Sequence, residues 1–594
     1  MLIEVAKQTG LKFRQVNKRI SAIRNKNISQ DEVLTVEVLA DVNITGKITD
    51  ENGDGLPGAS VVLKGSTSGT TTDMDGNYKF SAPDDAVLVI SYVGYLSKEI
   101  SIAGRSTIDV SMEPDDNLLE GIVVVGYGTQ RKSDLVSAVA KTDLTKALVA
   151  PTPDINEMLR GRIPGLQVDV GGGTLRPGGT SDIIFRGRSS IEGNVSGIYV
   201  VDGVVRTGGI EDINLDDIES IDFLKDASAQ AIYGSRAVNG VVLITTKRGA
   251  YDDFSVTYHG FTTTKNIEQV IIRYSGQEFA NLRREAHRSN NADDEYSNDE
   301  DIFSVIELES IANNQFVDWE DELLRKGKVN SHTIGISGGT DQTKIYGSLN
   351  YFKEDGIIPT SSYVRKNLRL NVDQNISNKL STVFNISLQD DATERTANVN
   401  VITISPLGRA YDENGALLRF PSGEEGTSTS PLWNLRESDH DVKGNNFVAT
   451  VIPKWQITKN ILYQFKGSVT RKNSERAQYL SSLHSSGETH RGIARIDNQI
   501  RDAFLIENIL TFDKRFNENN KLDITFVQAV DENKFTQSLT EGRGFINETL
   551  GYDGITNAIG SVTTERNKTK IRTASFMGRV RYNLFDKYLF TTTL

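Results

Sequence analysis

The sequence contains no cysteine. Disulfides, iron–sulfur clusters and thiolate zinc sites are therefore excluded. Proline is scarce, 12 against 51 glycines, which suits many short strands and turns rather than a disordered, proline-rich chain. No apolar run approaches the ~18–20 residues of a membrane-spanning helix. That excludes an ordinary helical membrane protein but not a membrane β-barrel, whose strands alternate and each carry a weak signal. Long Lys/Arg runs are missing, and the net charge is -13, so nucleic acid is not the expected partner. The histidines are scattered, and His484 and His490 stand at a spacing that no common metal site uses. No Ser–His–Asp arrangement or carboxylate pair stands out. The sequence carries no positive sign of an enzyme, a metal or a cofactor.

What is present divides into five stretches. Residues 1–40 form a small unit, in which Ile3–Gln8 suits a short helix ended by Gly10, and Leu11, Phe13 and Val16 suggest a strand. Residues 43–113 read as a β-sandwich: short apolar runs at Ala59–Leu63, Tyr78–Phe80, Val87–Tyr92 and Thr107–Met112 are separated by Gly/Asp/Asn turns. Asp75-Gly76-Asn77 is a hairpin signal. Residues 114–130 form a linker with one apolar island, Ile122-Val123-Val124-Val125, bracketed by Gly121, Gly126 and Gly128.

Residues 131–250 are mixed α/β. Thr152 is expected to cap a short helix with Pro153 at its first position, Ile155, Met158 and Leu159 on its apolar face, and Gly161 at its end. Asp226 or Ser228 opens an Ala-rich turn of helix that Gly234 stops, and Val241–Thr246 reads as a buried strand. Residues 251–594 change texture, with period-2 alternation as the rule. Leu368, Leu370 and Val372 oppose Asn367, Arg369 and Asn371; Phe384, Ile386 and Leu388 oppose Asn385, Ser387 and Gln389. About eleven such strands follow one another, with tight links such as 375–379 and 517–521 alternating with long polar stretches such as 391–445. A soluble antiparallel sheet with one wet face would alternate too. Bulky charges on the polar face, and Tyr346, Tyr351, Phe352, Tyr582 and Tyr588 as interface girdles near strand ends, favour a membrane barrel.

Several motifs have a plain reading. Asp50–Gly55 matches half of an EF-hand loop, but Val61 stands where the bidentate Glu belongs, so it reads as a turn. The acidic stretch Asp293, Asp294, Glu295, Asp299, Glu300 and Asp301 reads as a solvated loop rather than a calcium site. Gly171-Gly172-Gly173 lacks the Lys-Ser/Thr ending of a phosphate loop. The island at 122–125 is either an internal strand or a segment that adds itself to the edge of a partner's sheet. Arg160, Arg162, Arg186, Arg188 and Arg236 stand close to glycines. Inside a barrel each would need a carboxylate, because an unpaired buried charge is costly; on a free-standing domain they would be ordinary surface charges.

Four runs point to a family. Val201-Asp202-Gly203, then Asp217-Ile218-Glu219-Ser220-Ile221 through Leu224-Lys225-Asp226-Ala227-Ser228-Ala229, Ala231–Ala237 and Asn239-Gly240-Val241, resemble the plug signature of SusC/RagA outer-membrane proteins. Val124–Gln130 is similar to that family's stretch at the TonB box. Gly46–Asp50 and Leu56–Val61 resemble its carboxypeptidase-regulatory-like domain, a transthyretin-like sandwich without peptidase chemistry. Residues 1–20 look like the tail of a secretin/TonB short N-terminal domain.

The resemblance implies a mostly β chain: an N-terminal sandwich at 43–113, a linker with the TonB box at 114–130, an α/β plug at 131–250, and a transmembrane barrel begun at 251–594, with about half of ~22 strands. It also implies a leader upstream of Met1 and further strands beyond Leu594, where Phe590–Leu594 reads as the middle of a strand. The expected activity is TonB-dependent import of oligosaccharides or peptides across the outer membrane, with a SusD-like surface lipoprotein as lid. TonB and its inner-membrane energising complex would engage Glu120, Gly121, Ile122, Val123, Val124 and Val125. The five plug arginines would form the ion pairs that gate the plug. Siderophore or cobalamin receptors, a surface adhesin of stacked β-domains and a secreted hydrolase are the other readings, each lacking one of these features.

Overall fold

In the computed structural model the described residues are 42–113, 152–250 and 251–594, apart from short stretches, of which 170–175, 188–196, 225–232, 268–273 and 396–403 are the longest. Of 11–16, 19–24, 122–124, 129–131 and 139–141 the backbone alone is described. The expected helix at 3–8, the triglycine at 171–173, most of the Ala-rich turn after 226, and Arg186, Arg188 and Arg236 lie outside the described residues.

The chain divides into two compact units, 1–121 and 122–594. In the first, β1 (Leu11–Val16) pairs with β2 (Arg19–Arg24) as a hairpin. Seven strands then make a sandwich: β3 (Val42–Thr49), β4 (Ser60–Leu63), β5 (Gly69–Thr71), β6 (Asn77–Ala82), β7 (Val87–Ser91), β8 (Lys98–Ser101) and β9 (Val110–Ser111). They form one sheet ordered β6-β3-β9 and another ordered β5-β4-β7-β8. Alternation decides which side chains meet between them: Ile44 and Ile48 of one sheet pack with Val61, Leu88 and Ile90 of the other, closed by Ile102 and Met112.

The turns follow their local chemistry. Asp50 Oδ1 accepts from the Asp54 amide at 2.8 Å, so the EF-hand-like stretch is a turn. The expected hairpin at Asp75-Gly76-Asn77 is instead a tight turn that carries the chain from β5 in one sheet to β6 in the other: Asp73 Oδ1 accepts from the amides of Asp75 and Asn77, and Gly76 holds φ +83°, where an added Cβ would meet Ile48 O at 2.4 Å. Buried Tyr78 donates its hydroxyl to Ile108 O at 2.9 Å, and burial pushes the phenol up to about 12. Tyr78→Phe leaves that carbonyl without its donor. It is expected to lower the stability of this unit by about 1–3 kcal/mol, measured as a shift in its denaturation midpoint at unchanged slope.

The second unit begins with β10 (Ile122–Val124), paired antiparallel with β11 (Thr129–Arg131). A five-stranded sheet follows, made of β12 (Val139–Lys141), β15 (Ile198–Val201), β16 (Val204–Val205), β17 (Ile218–Leu224) and β18 (Val241–Thr246) in the order β12-β17-β18-β15-β16. Strand β18 lies between antiparallel β17 and parallel β15, so its run Val241–Ile244 is buried on both faces, as the sequence predicts. A separate hairpin joins β13 (Leu166–Asp169) to β14 (Asp182–Phe185), and its Val168 and Ile183 complete a core with Leu159, Ile221, Phe223 and Ile244.

The helix at Ile155–Met158 is capped by Asp154, not Thr152. Asp154 takes the Asn156 amide at 3.0 Å and the Ser181 amide at 2.7 Å, and Thr152 Oγ1 accepts from the Asp154 amide. A carboxylate with two oxygens ties the helix start to a distant loop, which a hydroxyl at 152 cannot do.

Eleven strands then run as one antiparallel meander: β19 (Ser255–Lys265), β20 (Gly327–Gly339), β21 (Thr343–Asp355), β22 (Ser362–Ser377), β23 (Leu380–Glu394), β24 (Ser438–Thr458), β25 (Ile461–Leu480), β26 (Ile493–Asn517), β27 (Asn520–Arg543), β28 (Ser561–Leu584) and β29 (Tyr588–Thr593). Links 340–342, 378–379, 459–460, 518–519 and 585–587 are tight and fall at one end. Links 266–326, 356–361, 395–437, 481–492 and 544–560 are longer and fall at the other.

The burial pattern is inverted relative to a soluble sheet. In β22 Leu368 and Leu370 are 38% and 36% exposed, while Arg369 and Asn371 are 3% and 1%. Water would not leave a sheet of leucines, phenylalanines and valines outward while burying guanidinium and amide groups; a hydrocarbon surround with a polar lumen does. Of the expected girdle aromatics, Tyr346 and Phe352 instead point inward and are buried, because their even positions share the face of Ser348 and Asn350; Tyr351 and Tyr588 are exposed. Leu368→Arg is expected to destabilise the sheet in a bilayer by about 2–4 kcal/mol, seen as loss of the heat-modifiable folded band in gels, with Leu368→Phe tolerated. A soluble sheet would accept the arginine.

Candidate functional site

The segment 203–217, with the strand that follows it, lies against the polar face of the meander. Four carboxylates fall in its last seven residues: Glu211, Asp212, Asp216 and Asp217. The 3-10 turn Leu215–Asp217 and the start of β17 fix the last two, and Ile213 anchors the loop in the core behind them.

Each of these four residues meets the wall, Asp212 through its main-chain carbonyl. Asp217 accepts from Tyr346 Oη at 2.9 Å and lies 3.7 Å from Arg369 Nε, with both side chains buried. Asp216 accepts from Thr333 Oγ1 at 2.5 Å and pairs with His259 Nδ1 at 2.8 Å. Asp212 pairs with Arg206 of its own domain at 3.0 Å, while its carbonyl accepts from Asn367 Nδ2 at 2.9 Å. Glu211 lies 3.4 Å from Lys472. Further along, Lys466 donates to Gly203 O at 2.7 Å and lies 3.5 Å from Glu507. Asn371 donates to Lys247 O at 2.8 Å, and Arg248 pairs with Asp373 at 2.6 Å.

The electrostatics of the two most buried acids differ. Burial works against charge on Asp212, but the Arg206 and Arg369 guanidiniums outweigh it and hold its carboxyl below the usual range. Burial dominates at Asp217 and pushes its carboxyl up, against the pull of Arg369. Arg369 Nε and Nη2 have no hydrogen-bond partner, so the guanidinium is held by Coulomb attraction rather than by a fork-to-fork contact. Apolar contact with the wall is made at two places: Val204 meets Ile452 and Leu505, and Met577 of β28 packs against the core of Val200, Leu224 and Val241.

Arg160 and Arg162, read as plug arginines that would pair inside a barrel, are exposed in this chain. Of the cations buried at this contact, Arg369 and Lys466 are on the wall and Arg206 is on the domain, which also sends Arg248 to Asp373 of the wall. The strand alternation carries the signal for the wall, since Arg365, Asn367, Arg369 and Asn371 occupy every second position of β22. Nothing in the local sequence of 211–217 marks its acids as docked rather than solvated. Of the residues assigned to a TonB box, Ile122–Val124 are extended and paired with Thr129–Arg131, while Glu120, Gly121 and Val125 lie outside the described residues.

With this geometry in hand, comparison with known proteins is specific. Residues 44–124 match the CarboxypepD_reg-like domain family and residues 130–241 the TonB-dependent Receptor Plug Domain family. The chain is 33% identical to TonB-dependent receptor P26 of Formosa agariphila over 92% of its length and 55% of the relative's. It is 27% identical to TonB-dependent receptor SusC of Bacteroides thetaiotaomicron, over 94% of its length and 57% of that protein. It thus spans about half the length of the relatives it matches. Its fold matches the RagAB peptide importer in the open-open state with a TM-score of 0.69 at 22% identity, covering 80% of this chain and 56% of that one. A sandwich, a plug docked through acids on a polar wall, and eleven strands of an apolar-out sheet are the parts of one family's architecture, and the chain belongs to the TonB-dependent receptors of the SusC/RagA type.

Proposed function

We propose that the whole protein imports oligosaccharides or peptides across the outer membrane, with this chain supplying its coupling sandwich, its plug and the first part of its barrel. In this reading a SusD-like surface lipoprotein closes over the long-loop end. TonB pairs with residues 120–125 from the periplasm and pulls, and the inner-membrane proton gradient supplies the work. The observation that carries the reading is the chemistry of the plug–wall contact. It is rich in hydrogen bonds and ion pairs, with apolar contact at Val204 and Met577.

Such a contact is suited to gating. Polar groups that part can be taken up by water at a small net cost of about 0.5–1.5 kcal/mol per neutral bond. A well-packed apolar interface would resist with ~25 cal/mol for each Å² re-exposed. Force applied at 120–125 reaches the plug through the chain, and the polar contacts re-form when the pull ends. In this reading the acids at 211–217, against Arg369 and Lys472, help to hold the plug. The test is loss of energised uptake, with substrate binding retained, when residues 120–125 are removed from the whole protein.

A further inference from the structure

A cavity of about 410 Å³ opens between the plug and the wall, at the end of the meander that carries the long links. One side of it is a single register row. Gln389 of β23 faces Asn446 of β24, Asn446 faces Lys472 of β25, Lys472 faces Arg501 of β26, and Arg501 faces Phe535 of β27. Strands lie ~4.8 Å apart, so the row offers one recognition group per step, a spacing close to the width of a sugar ring.

Two of these groups are buried and unsatisfied. Gln389 and Asn446 are 8% and 7% exposed, and Gln389 Oε1 and Asn446 Oδ1 have no hydrogen-bond partner. A buried acceptor without a donor is costly, and a ligand hydroxyl would remove that cost. Of the four carboxylates that line the cavity, Asp154 holds Ser181, Glu211 pairs with Lys472, Asp391 accepts from Gln389 Nε2, and Asp182 is engaged as well.

The cations are not all engaged. Arg395 and Arg476 line the cavity beside the row, and among the described residues neither has a carboxylate within ion-pair distance. Arg501 likewise has none; its guanidinium lies 5.5 Å from the Phe535 ring. Burial, and then the like charges of Arg476 and Arg176, hold Arg395 below its usual range. Mutual repulsion of this kind is relieved by an anion from outside.

We propose that this cavity binds an acidic oligosaccharide, with Arg395 and Arg476 taking a uronate carboxylate or a sulfate and Gln389, Asn446 and Arg501 taking ring hydroxyls. The assignment rests on the import reading above and narrows its substrate to anionic sugars. A peptide is the less suitable occupant. An extended peptide cannot add as a strand here, because β23 to β27 are each paired on both sides. Recognition falls to side chains, and forked amides and guanidiniums match neighbouring hydroxyls and planar anions.

The experiment is calorimetric titration of the whole protein, purified in detergent, with three probes: oligogalacturonate and sulfated galactan oligomers, neutral malto-oligosaccharide, and oligoglutamate. At least one acidic sugar is expected to bind, to weaken steeply with salt, and to lose about tenfold or more in affinity in the R395Q/R476Q protein. The single variant Gln389→Ala is expected to weaken binding at unchanged salt dependence, and folding of each variant is checked by heat-modifiable gel mobility. Equal binding of the neutral sugar, binding of oligoglutamate alone, no binding of either acidic sugar, or an affinity untouched by R395Q/R476Q would each overturn the proposal. Because detergent binding needs no TonB, these outcomes are separate from a failure of the import reading, which is judged by uptake.

Discussion

Removal of residues 120–125 from the whole protein is expected to reduce energised uptake to the level of cells without TonB, while equilibrium binding of substrate is unchanged. The expectation follows from how a short β-branched segment can be gripped. Ile122–Val124 has its backbone extended and paired on one side with Thr129–Arg131. A partner strand can take the other edge or displace 129–131, and in both cases the affinity comes from main-chain hydrogen bonds. Side-chain substitutions should therefore matter little, and loss of a backbone donor should matter greatly. Val123→Pro, which removes one N–H, is expected to mimic the deletion, and Val123→Thr to leave uptake near normal. Uptake that survives the deletion with binding intact would sink the TonB-box assignment. Loss of binding along with uptake would instead make the segment a structural strand of the plug.

Arg369→Met is expected to weaken plug docking more than any other single change in the contact. It leaves Asp217, 1% exposed, with no cation near it, and removal of one partner from a buried pair costs about 3–5 kcal/mol. Part of that cost is escaped if Asp217 takes up a proton, the direction in which burial already pushes it. The acid variant is thus expected to be milder: Asp217→Asn keeps the shape, can still accept from Tyr346, and leaves Arg369 near the carboxylate of Asp212. Hydrogen exchange of the amides at 211–217 in the whole protein measures the effect. Exchange should quicken strongly in Arg369→Met, modestly in Asp217→Asn, and by less than the sum in the double variant, because the two residues share one interaction. Additive effects would show that Arg369 stabilises the wall rather than the docked plug.

The two experiments probe opposite ends of one linkage. The first removes the handle and should leave the lock closed. The second loosens the lock, and with less force needed to part it, uptake should persist.

Much of this architecture was legible because it is written in short periods. The eleven strands of the meander, their tight and long links and the buried strand at 241–246 follow from alternation and turn residues, which act within a few positions along the chain. The places that misled were those where a distant residue competes. Asp154 took the helix cap from Thr152 because Ser181, far along the chain, supplies a second donor. Tyr346 is inward by the same alternation that buries Ser348 and Asn350, and there it meets Asp217. Of the five arginines expected to pair inside the barrel, the described Arg160 and Arg162 are exposed, and acids at 211–217, which carried no local signal, meet the wall.

By itself, then, the amino-acid order determined the kinds of element, their sequence along the chain and which face of each barrel strand is apolar. It also carried the family signature, since that lies in contiguous runs. Only the tertiary structure decided which side of the plug–wall contact bears which charge, and which cations stand without partners in the cavity beside it. The physical reason is that local propensity acts between neighbours in the chain. The state of a buried charge is set by whatever folding brings within a few ångströms, here residues more than a hundred positions apart such as Asp217 and Arg369.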